Sequence, residues 1–547
     1  MSELESLGEQ SGGVLNGART VRDATFDVMR HYGMTRIFGN PGSSEIPFLA
    51  SLPSDLEFIL GLHEGAVVGM ATGYATGTGR PAFVNLHTAP GLGNAINAIA
   101  NARDNRVPLV VVVGQQDRRH LALSPFLTGR ALERVAGEYP VWSNLPVRPQ
   151  DVPGAIARAW HEAMNQRGPA LVVVPMGDWA EPADEDITVT APARVLSTPA
   201  VNPNDIAEMA DLIEDASSPT IVVGAGAAGD EAWKALVALA EKLDCPVWQD
   251  PFCNRPGFPQ DHPLFAGHLH WARPLMRKTL APHDLVLTAG TWAFRGYMYE
   301  PGPMVEPGTR IAVISDDPEE VHRSPADLAL LGSVADACAG IAERVQQRSG
   351  NTPEPFQRPA PLDPPAAGEP LRAGHVLCAL AERLPTDVVL MEEAPSTRPE
   401  LLARIPARTP WGFVSVANGA LGYGMSGTLG LALSMPDRPV LAVLGDGSSM
   451  YTIQTLWSAA HYHVGALIIV LSNGRYAVMD MLAREAGEES SWPPFQELDI
   501  AAIARGLGCP AKRIDTHDEL LRELDDEIPN LASRSEPLLL EIVVAPE

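Results

Sequence analysis

Arg438–Tyr476, RPVLAVLGDGSSMYTIQTLWSAAHYHVGALIIVLSNGRY, is the stretch whose reading decides the fold. VLAVL is a continuous apolar run of strand length, the composition of a strand covered on both faces. Gly445-Asp446-Gly447-Ser448 breaks it, and Ser448 or Ser449 is placed to cap a helix carrying Leu456, Trp457, Ala460 and Tyr462. ALIIVL is a second buried strand, ended by Ser472-Asn473-Gly474. Two consecutive parallel strands then bring Asp446 and Asn473 to the carboxyl edge of one sheet, where open α/β sheets bind ligands. A carboxylate and an amide oxygen are hard ligands suited to Mg²⁺ shared with phosphate oxygens, and a helix start offers N–H groups to the anion. An Asp-Gly turn alone serves equally well to cap a helix. The Asn-Gly one helix and one strand later is what favours the ligand reading.

Working outward, the same pattern occurs earlier in the chain. GRPAFVNLHTAPGLGNAINAIANARDNRVPLVVVVGQQ has the order and nearly the length of DRPVLAVLGDGSSMYTIQTLWSAAHYHVGALIIVLSNG. Arg80-Pro81 matches Arg438-Pro439, and His87-Thr88 falls where Gly445-Asp446 falls. Each copy is preceded by a helix of small residues, EGAVVGMATGYATG in one and NGALGYGMSGTLGLAL in the other. Any two β-α-β units share an order; the matched dipeptides and helices set these two apart as diverged copies of one domain. Between them lies a third α/β unit: PTIVVGAGAAG, a helix, CPVWQDP, DLVLTAGTWAF and RIAVISDDP. Gly224–Gly229 fits GxGxxG after a strand, a dinucleotide fingerprint, although glycines also serve there simply to turn a strand tightly into a helix.

The expected fold is therefore α/β, with three doubly wound parallel-sheet domains. The boundaries read as a loose tail at 1–17, a first domain at 18–185, a linker at 186–201, a central domain at 202–347, a proline-rich linker at 348–371 and a last domain at 372–547. The linker SGNTPEPFQRPAPLDPPAAGEP reads as too stiff and polar to join a core. Net charge is −27, from 40 basic and 67 acidic residues, which argues against nucleic acid or an anionic membrane as partner. No apolar run reaches the roughly 18–20 residues of a membrane span, and the polar, acidic N-terminus is unlike a signal peptide. Cys245, Cys253, Cys338, Cys378 and Cys509 are odd in number and lack CxxC spacing, so neither a disulfide frame nor a zinc site is indicated. The expected compartment is the reducing cytoplasm.

FGNPGSSEIPFL, the glutamate of LHEG, NLHTAPGLGN, FRGYMYEPG, NGALGYG and GDGS…NGRY together resemble the thiamine diphosphate (ThDP)-dependent 2-oxo acid decarboxylases of the benzoylformate decarboxylase type. The resemblance covers nearly the whole chain from about residue 18. It implies pyrimidine-binding, central and diphosphate-binding domains in that order. It also implies a catalytic glutamate, Glu64, bonded to a ring nitrogen of the aminopyrimidine, in an apolar stretch where an unpartnered carboxylate would be costly. Asn94 belongs to the same cofactor set. Leu421 would wedge beneath the cofactor and Gly419 would offer its carbonyl to the exocyclic amine. Asp446, Asn473 and the backbone oxygen of Arg475 would hold Mg²⁺, with Gly447, Ser448, Ser396 and Tyr476 around the diphosphate. Pro395 stands where the family has a further small hydroxyl residue.

Ser43 and His87 match the substrate-side residues, a hydroxyl to anchor the 2-oxo acid carboxylate and an imidazole to relay protons near neutrality. Tyr297 stands where the family has a second catalytic histidine. A phenol is a poor acid near neutrality, so protonation after loss of CO₂ is expected to be slow unless another group, such as His268 or His270, takes over. Slow protonation favours carboligation over release of an aldehyde. Val478, Met479 and Leu482 stand where the family surrounds an aryl group with small and aromatic residues, so the pocket stays apolar but differs; the resemblance implies an aromatic or branched 2-oxo acid. The resemblance further implies a homo-oligomer, at least a dimer and by family expectation a tetramer, with active sites at the subunit interface. Two other readings stay open: an acetolactate-synthase-like carboligase with flavin in the central domain, and a ThDP-binding paralogue without turnover.

Overall fold

Valine-, leucine- and isoleucine-rich runs become central strands because both of their faces are covered. The computed structural model describes residues 19–184, 192, 195, 200–349, 353–366 and 368–546. The expected tail at 1–17 and most of the expected linker at 186–201 lie outside the described residues. The chain divides into two compact bodies, Met1–Ala193 and Arg194–Glu547.

The first body holds a six-stranded parallel sheet of β1 (Arg36–Asn40), β2 (Glu57–Leu60), β3 (Ala82–Leu86), β4 (Leu109–Gln115), β5 (Trp142–Asn144) and β6 (Pro169–Pro175). Their order is β2-β1-β3-β4-β6-β5. All residues of β3, β4 and β6 are buried, as a sheet covered on both faces demands. The helix Val21–His31 starts at a capping box in which Thr20 and Asp23 satisfy each other's backbone N–H. Its Phe26 and Met29 pack with Phe48, Phe83 and Trp179 in one core cluster.

The second body carries two sheets. The central one comprises β7 (Pro219–Val223), β8 (Val247–Gln249), β9 (Phe265–His268), β10 (Leu285–Ala289), β11 (Arg310–Ser315) and β12 (Leu328–Leu331). Their order is β12-β11-β10-β7-β8-β9, again parallel. The GxGxxG glycines serve backbone packing: a Cβ on Gly226 would lie 2.8 Å from the Cα of Gly290, and one on Gly290 2.4 Å from the nitrogen of Ala227. The helix that follows opens with Asp230 and Glu231, the wrong charge beside a pyrophosphate.

The last sheet comprises β13 (Val389–Glu393), β14 (Val440–Gly445), β15 (Leu467–Ser472), β16 (Ala511–Ile514) and β17 (Leu538–Val543), ordered β13-β14-β15-β17-β16. That is the order of the first sheet without its edge strand β2: β1-β3-β4-β6-β5 maps onto β13-β14-β15-β17-β16. The small-residue helices Glu64–Thr78 and Gly424–Ser434 pack on the helices that follow β3 and β14 respectively. The sequence echo is thus an echo in topology.

Two local expectations differ from the structure. Ser448 and Ser449 do not cap a long helix. A short helix at Asp446–Ser449 is followed by a turn and a separate helix at Thr455–His461, with Tyr462 as its C-cap. The Ser448 hydroxyl donates instead to the Glu393 carbonyl at 2.5 Å and accepts from Gly445 N–H at 3.1 Å, tying the ends of β13 and β14 together. The proline-rich connector, devoid of helix and strand where described and expected to be too polar to join a core, nevertheless contributes to one. Phe356 stacks edge-on against Phe265 of the central core, and Arg358 donates to the carbonyls of Gln260 and Ala403.

Candidate active site

The carboxyl edge of the first sheet collects most of the polar residues singled out in the N-terminal half. Glu64 opens its helix and is only 8% exposed. Asn94 donates to its Oε2 at 3.0 Å and Asn40, the last residue of β1, to its Oε1 at 3.4 Å. Two neutral amides thus hold a nearly buried carboxyl without adding a counter-charge.

His87 caps the next helix, directly after β3. Its Nδ1 lies 2.9 Å from Glu45 Oε2 and 2.9 Å from Ser44 Oγ, while Ser44 donates to Glu45 Oε1 at 2.6 Å. Glu45 is 1% exposed and also accepts from Gly42 N–H at 2.8 Å. A carboxylate behind Nδ1 selects the tautomer with hydrogen there and turns Nε2 outward for proton exchange. The backbone is built around this contact: a Cβ on Gly42 would fall 2.3 Å from His87 Nδ1, and one on Gly114 would fall 1.9 Å from Glu45 Oε1. Ser43 is exposed, and its neighbour Ser44 is the serine that meets the histidine. Glu45, Ser44 and Asn40 were not singled out by the sequence. Their only signal was a polar trio inside the FGNPGSSEIPFL loop.

The last sheet presents the second collection. Asp446 is 4% exposed; its Oδ1 accepts from Gly447 N–H at 2.6 Å and its Oδ2 from Gly474 N–H at 2.7 Å. Burial pushes its pKa up, and these backbone donors only partly offset that. Among the described residues no Lys, Arg or His is paired with it, so a desolvated carboxylate faces the sheet edge without a counter-cation. Asn473 accepts from Arg475 N–H at 3.1 Å, which curls the Asn-Gly turn beside it. The Arg475 guanidinium pairs with Asp480. No cluster of three or more His, Cys, Asp or Glu side chains that could cage a metal occurs among the described residues. One carboxylate, one amide and backbone oxygens are the donor set of an octahedral ion that shares its sphere with a phosphate ligand.

Around this edge, Gly419 has φ +75°, a conformation that disfavours any side chain, and a Cβ there would meet open space. Leu421 is half-buried beside it. Ser396 is exposed and its hydroxyl accepts from Val478 N–H at 3.1 Å. Tyr476 lies edge-on to Phe495 and over Gly447, where a Cβ would touch its ring at 2.6 Å. Val478 and Leu482 are half-buried and Met479 is exposed.

Tyr297, in the central domain, is about half exposed and packs edge-on against Trp271. His268 is not placed to take over from it: burial, with Arg358 and Arg398 nearby, pushes its pKa down to about 3, so it stays neutral and is no proton donor near neutrality. His270 accepts from Ala272 N–H at 2.9 Å through Nδ1 and lies against Trp271.

Family models for the thiamine pyrophosphate enzymes match three segments of the chain: the N-terminal TPP binding domain at 19–133, the central domain at 206–341 and the C-terminal TPP binding domain at 401–542. The chain belongs to the thiamine pyrophosphate enzyme family, among its ThDP-dependent decarboxylases. It is 36% identical to benzoylformate decarboxylase of Pseudomonas aeruginosa over 527 residues, covering 96% of this chain and 98% of that one. The structure superposes on benzoylformate decarboxylase from Polynucleobacter necessarius with a TM-score of 0.91 at 32% identity, over 97% and 99% of the two chains. It matches ThDP-dependent 4-hydroxybenzoylformate decarboxylase of Rhodococcus jostii RHA1 equally, with a TM-score of 0.91 at 32% identity over 97% and 100%. No described helix is long and apolar enough to cross a membrane.

Proposed function

We propose that the protein uses ThDP with Mg²⁺ to decarboxylate an aromatic or branched 2-oxo acid of the benzoylformate kind, giving an aldehyde and CO₂. The observation that carries the reading is the histidine at the ligand edge backed by a buried glutamate, His87 Nδ1 on Glu45 at 2.9 Å. Bound ThDP supplies the electron sink that decarboxylation of a 2-oxo acid requires. The chain's own residues do the rest. Glu64, held by Asn40 and Asn94, bonds the aminopyrimidine. Leu421 and Gly419 bear on the rings. Asp446, Asn473 and the Arg475 carbonyl hold Mg²⁺, with Gly447, Ser448, Ser396 and Tyr476 near the diphosphate. The uncompensated Asp446 carboxylate suits a divalent ion, which restores its anionic form.

Ser43 anchors the substrate carboxylate and His87 exchanges a proton through Nε2. Val478, Met479 and Leu482 supply apolar surface for the aryl or branched group, in keeping with the aryl substrates named for the relatives. Tyr297 takes the place of a stronger acid and, with His268 held neutral, slows the final protonation, so that a second carbonyl compound is captured more readily. We further infer a cytoplasmic homo-oligomer, at least a dimer and by expectation a tetramer, with active sites at its subunit interface; sedimentation velocity would measure its size.

The test is CO₂ release across a panel of 2-oxo acids with ThDP and Mg²⁺, followed by product analysis with and without an acceptor aldehyde. Rapid turnover of benzoylformate with aldehyde as sole product, unchanged by Tyr297→His, would remove the carboligation element. Absence of CO₂ from every acid, with ThDP bound, would remove the decarboxylase reading.

A further inference from the structure

β13 ends in two consecutive carboxylates, Glu392 and Glu393, that are 2% and 3% exposed. Burying one unpaired carboxylate is costly and burying neighbours more so; burial pushes Glu393 up to about 8. Neither side chain has been given a role above, and both reach one segment of chain, Glu392 while its Oε1 also accepts from Ala394 N–H at 2.7 Å. Glu393 accepts from Gly422 N–H through Oε1 and from Gly424 N–H through Oε2, each at 2.5 Å. Glu392 accepts from the Ser415 hydroxyl at 2.9 Å, with Arg398 3.6 Å away. The two therefore grip both ends of the Ser415–Gly424 segment, the one that carries Gly419 and Leu421.

Three further observations show that the grip is built in. Gly424 has no room for a side chain, since a Cβ there would lie 2.6 Å from Glu393 Cβ and Oε2. Gly422, at φ +105°, turns its carbonyl to the hydroxyls of Thr452 and Ser426, each at 3.0 Å. Arg295 of the central domain, from the FRGYMYEPG loop, donates to Ala417 O at 3.0 Å. The internal repeat supplies independent support. Glu393 ends β13 opposite Leu444, as Asn40 ends β1 opposite Leu86. Asn40 reaches the first residue of its small-residue helix, Glu64; Glu393 reaches the first residue of the corresponding helix, Gly424. In both copies the strand-end polar residue holds the entry to that helix.

We propose that Glu393, with Glu392, is a positioning residue that holds the Gly419–Leu421 turn in shape for the cofactor before the cofactor arrives. This rests on the proposed role of that turn. The carboxylate matters because it accepts at both oxygens, whereas Gln must turn an NH₂ toward one of the two buried N–H donors and leave it unpaired.

The test compares Glu393→Gln with wild type in three measurements: amide hydrogen exchange at Gly422 and Gly424 in the ThDP-free protein, ThDP affinity by fluorescence quenching, and kcat against KM for the best 2-oxo acid. Expected are exchange about tenfold faster at those two amides, ThDP affinity about tenfold weaker, and a lower kcat at saturating ThDP with KM unchanged, each reflecting a lost acceptor. Unchanged exchange, or unchanged ThDP affinity, overturns the proposal. Should Glu393→Gln not fold, Thr452→Val, which removes one bond to the Gly422 carbonyl, is decided by the same affinity measurement: weaker binding supports the clamp and unchanged binding overturns it. Asp446→Ala separates the two layers of the argument. Loss of ThDP binding there with none in Glu393→Gln refutes the clamp alone; no loss in either refutes the cofactor reading beneath it.

Discussion

Gly42→Ala probes the proposed acid–base group without touching it. The backbone at Gly42 has φ −117°, open to alanine, so the substitution brings no conformational strain of its own. Its Cβ would arrive 2.3 Å from His87 Nδ1, 2.4 Å from Cγ and 2.6 Å from Cε1. Ordinary contact distance between such atoms is about 3.5 Å, so the ring must withdraw by roughly 1 Å, which breaks its contact with Glu45. A displacement of about 1 Å in a catalytic group costs on the order of 10²-fold, within the 10²–10⁴ that a general acid–base is worth. Turnover measured as CO₂ release at saturating ThDP and Mg²⁺ should therefore fall about a hundredfold, most of the way to His87→Ala. ThDP affinity should stay near wild type, because the displaced ring is not among the residues proposed to hold the cofactor. Gly42→Ala with full turnover would refute the assignment of His87; an equal loss of ThDP binding would show that the loop, not the ring, had moved.

Glu45→Gln leaves the ring in place but removes the charge behind Nδ1, and should lower kcat, measured as CO₂ release at saturating ThDP, while KM moves little. Asp446→Asn should weaken Mg²⁺-dependent cofactor retention, measured by dialysis and reconstitution, by more than the roughly 10–100-fold typical of a lost outer-sphere partner. Tyr297→His should shift products from carboligation toward free aldehyde in an assay with acceptor aldehyde; an unchanged ratio would count against the role given to the phenol. His268 sets a pH dependence of stability. Burial holds it near 3 in the folded chain against 6.5 as its ordinary value. The unfolded chain therefore binds a proton that the folded chain refuses as pH falls below 6.5, so stability present above that pH is lost on acidification. The slope is at most about 1.4 kcal/mol per pH unit within that window. Urea midpoints at pH 7 and 5.5 should separate for wild type and separate less for His268→Gln; equal pH dependence in both would show that His268 is readily protonated in the folded protein.

The strands were legible because burial on both faces leaves unbroken apolar runs: VLAVL became Val440–Gly445 and ALIIVL became Leu467–Ser472. Asp446 was legible because it stands where such a run stops. Polar residues at other strand ends were harder to read, for a physical reason. Glu45 meets His87 across 42 residues, and Glu393 meets Gly424 across 31. Nothing local marks either as buried, and acidic residues in a turn ordinarily face water. Phe356 was misread for the converse reason, since neighbouring polar and proline residues suggested solvent where the chain packs inward.

The repeat converts these misses into a rule. Along the matching strands, the two copies give one topological region the same mechanical duty and different chemistry. The turn after the aligned leucines, Leu86 and Leu444, carries the proposed proton carrier His87 in one copy and, one position further along, the proposed metal-binding carboxylate Asp446 in the other. The residue ending β1 or β13 fastens the mouth of the small-residue helix, a neutral amide in Asn40 and an acid in Glu393. The difference follows from what each mouth presents. Glu64 offers carboxylate oxygens and needs donors, whereas Gly422 and Gly424 offer N–H groups and need acceptors. A duplicated scaffold can change its chemistry this way because swapping an amide for an acid at the strand end reverses hydrogen-bond polarity while the strand order of the two sheets stays the same.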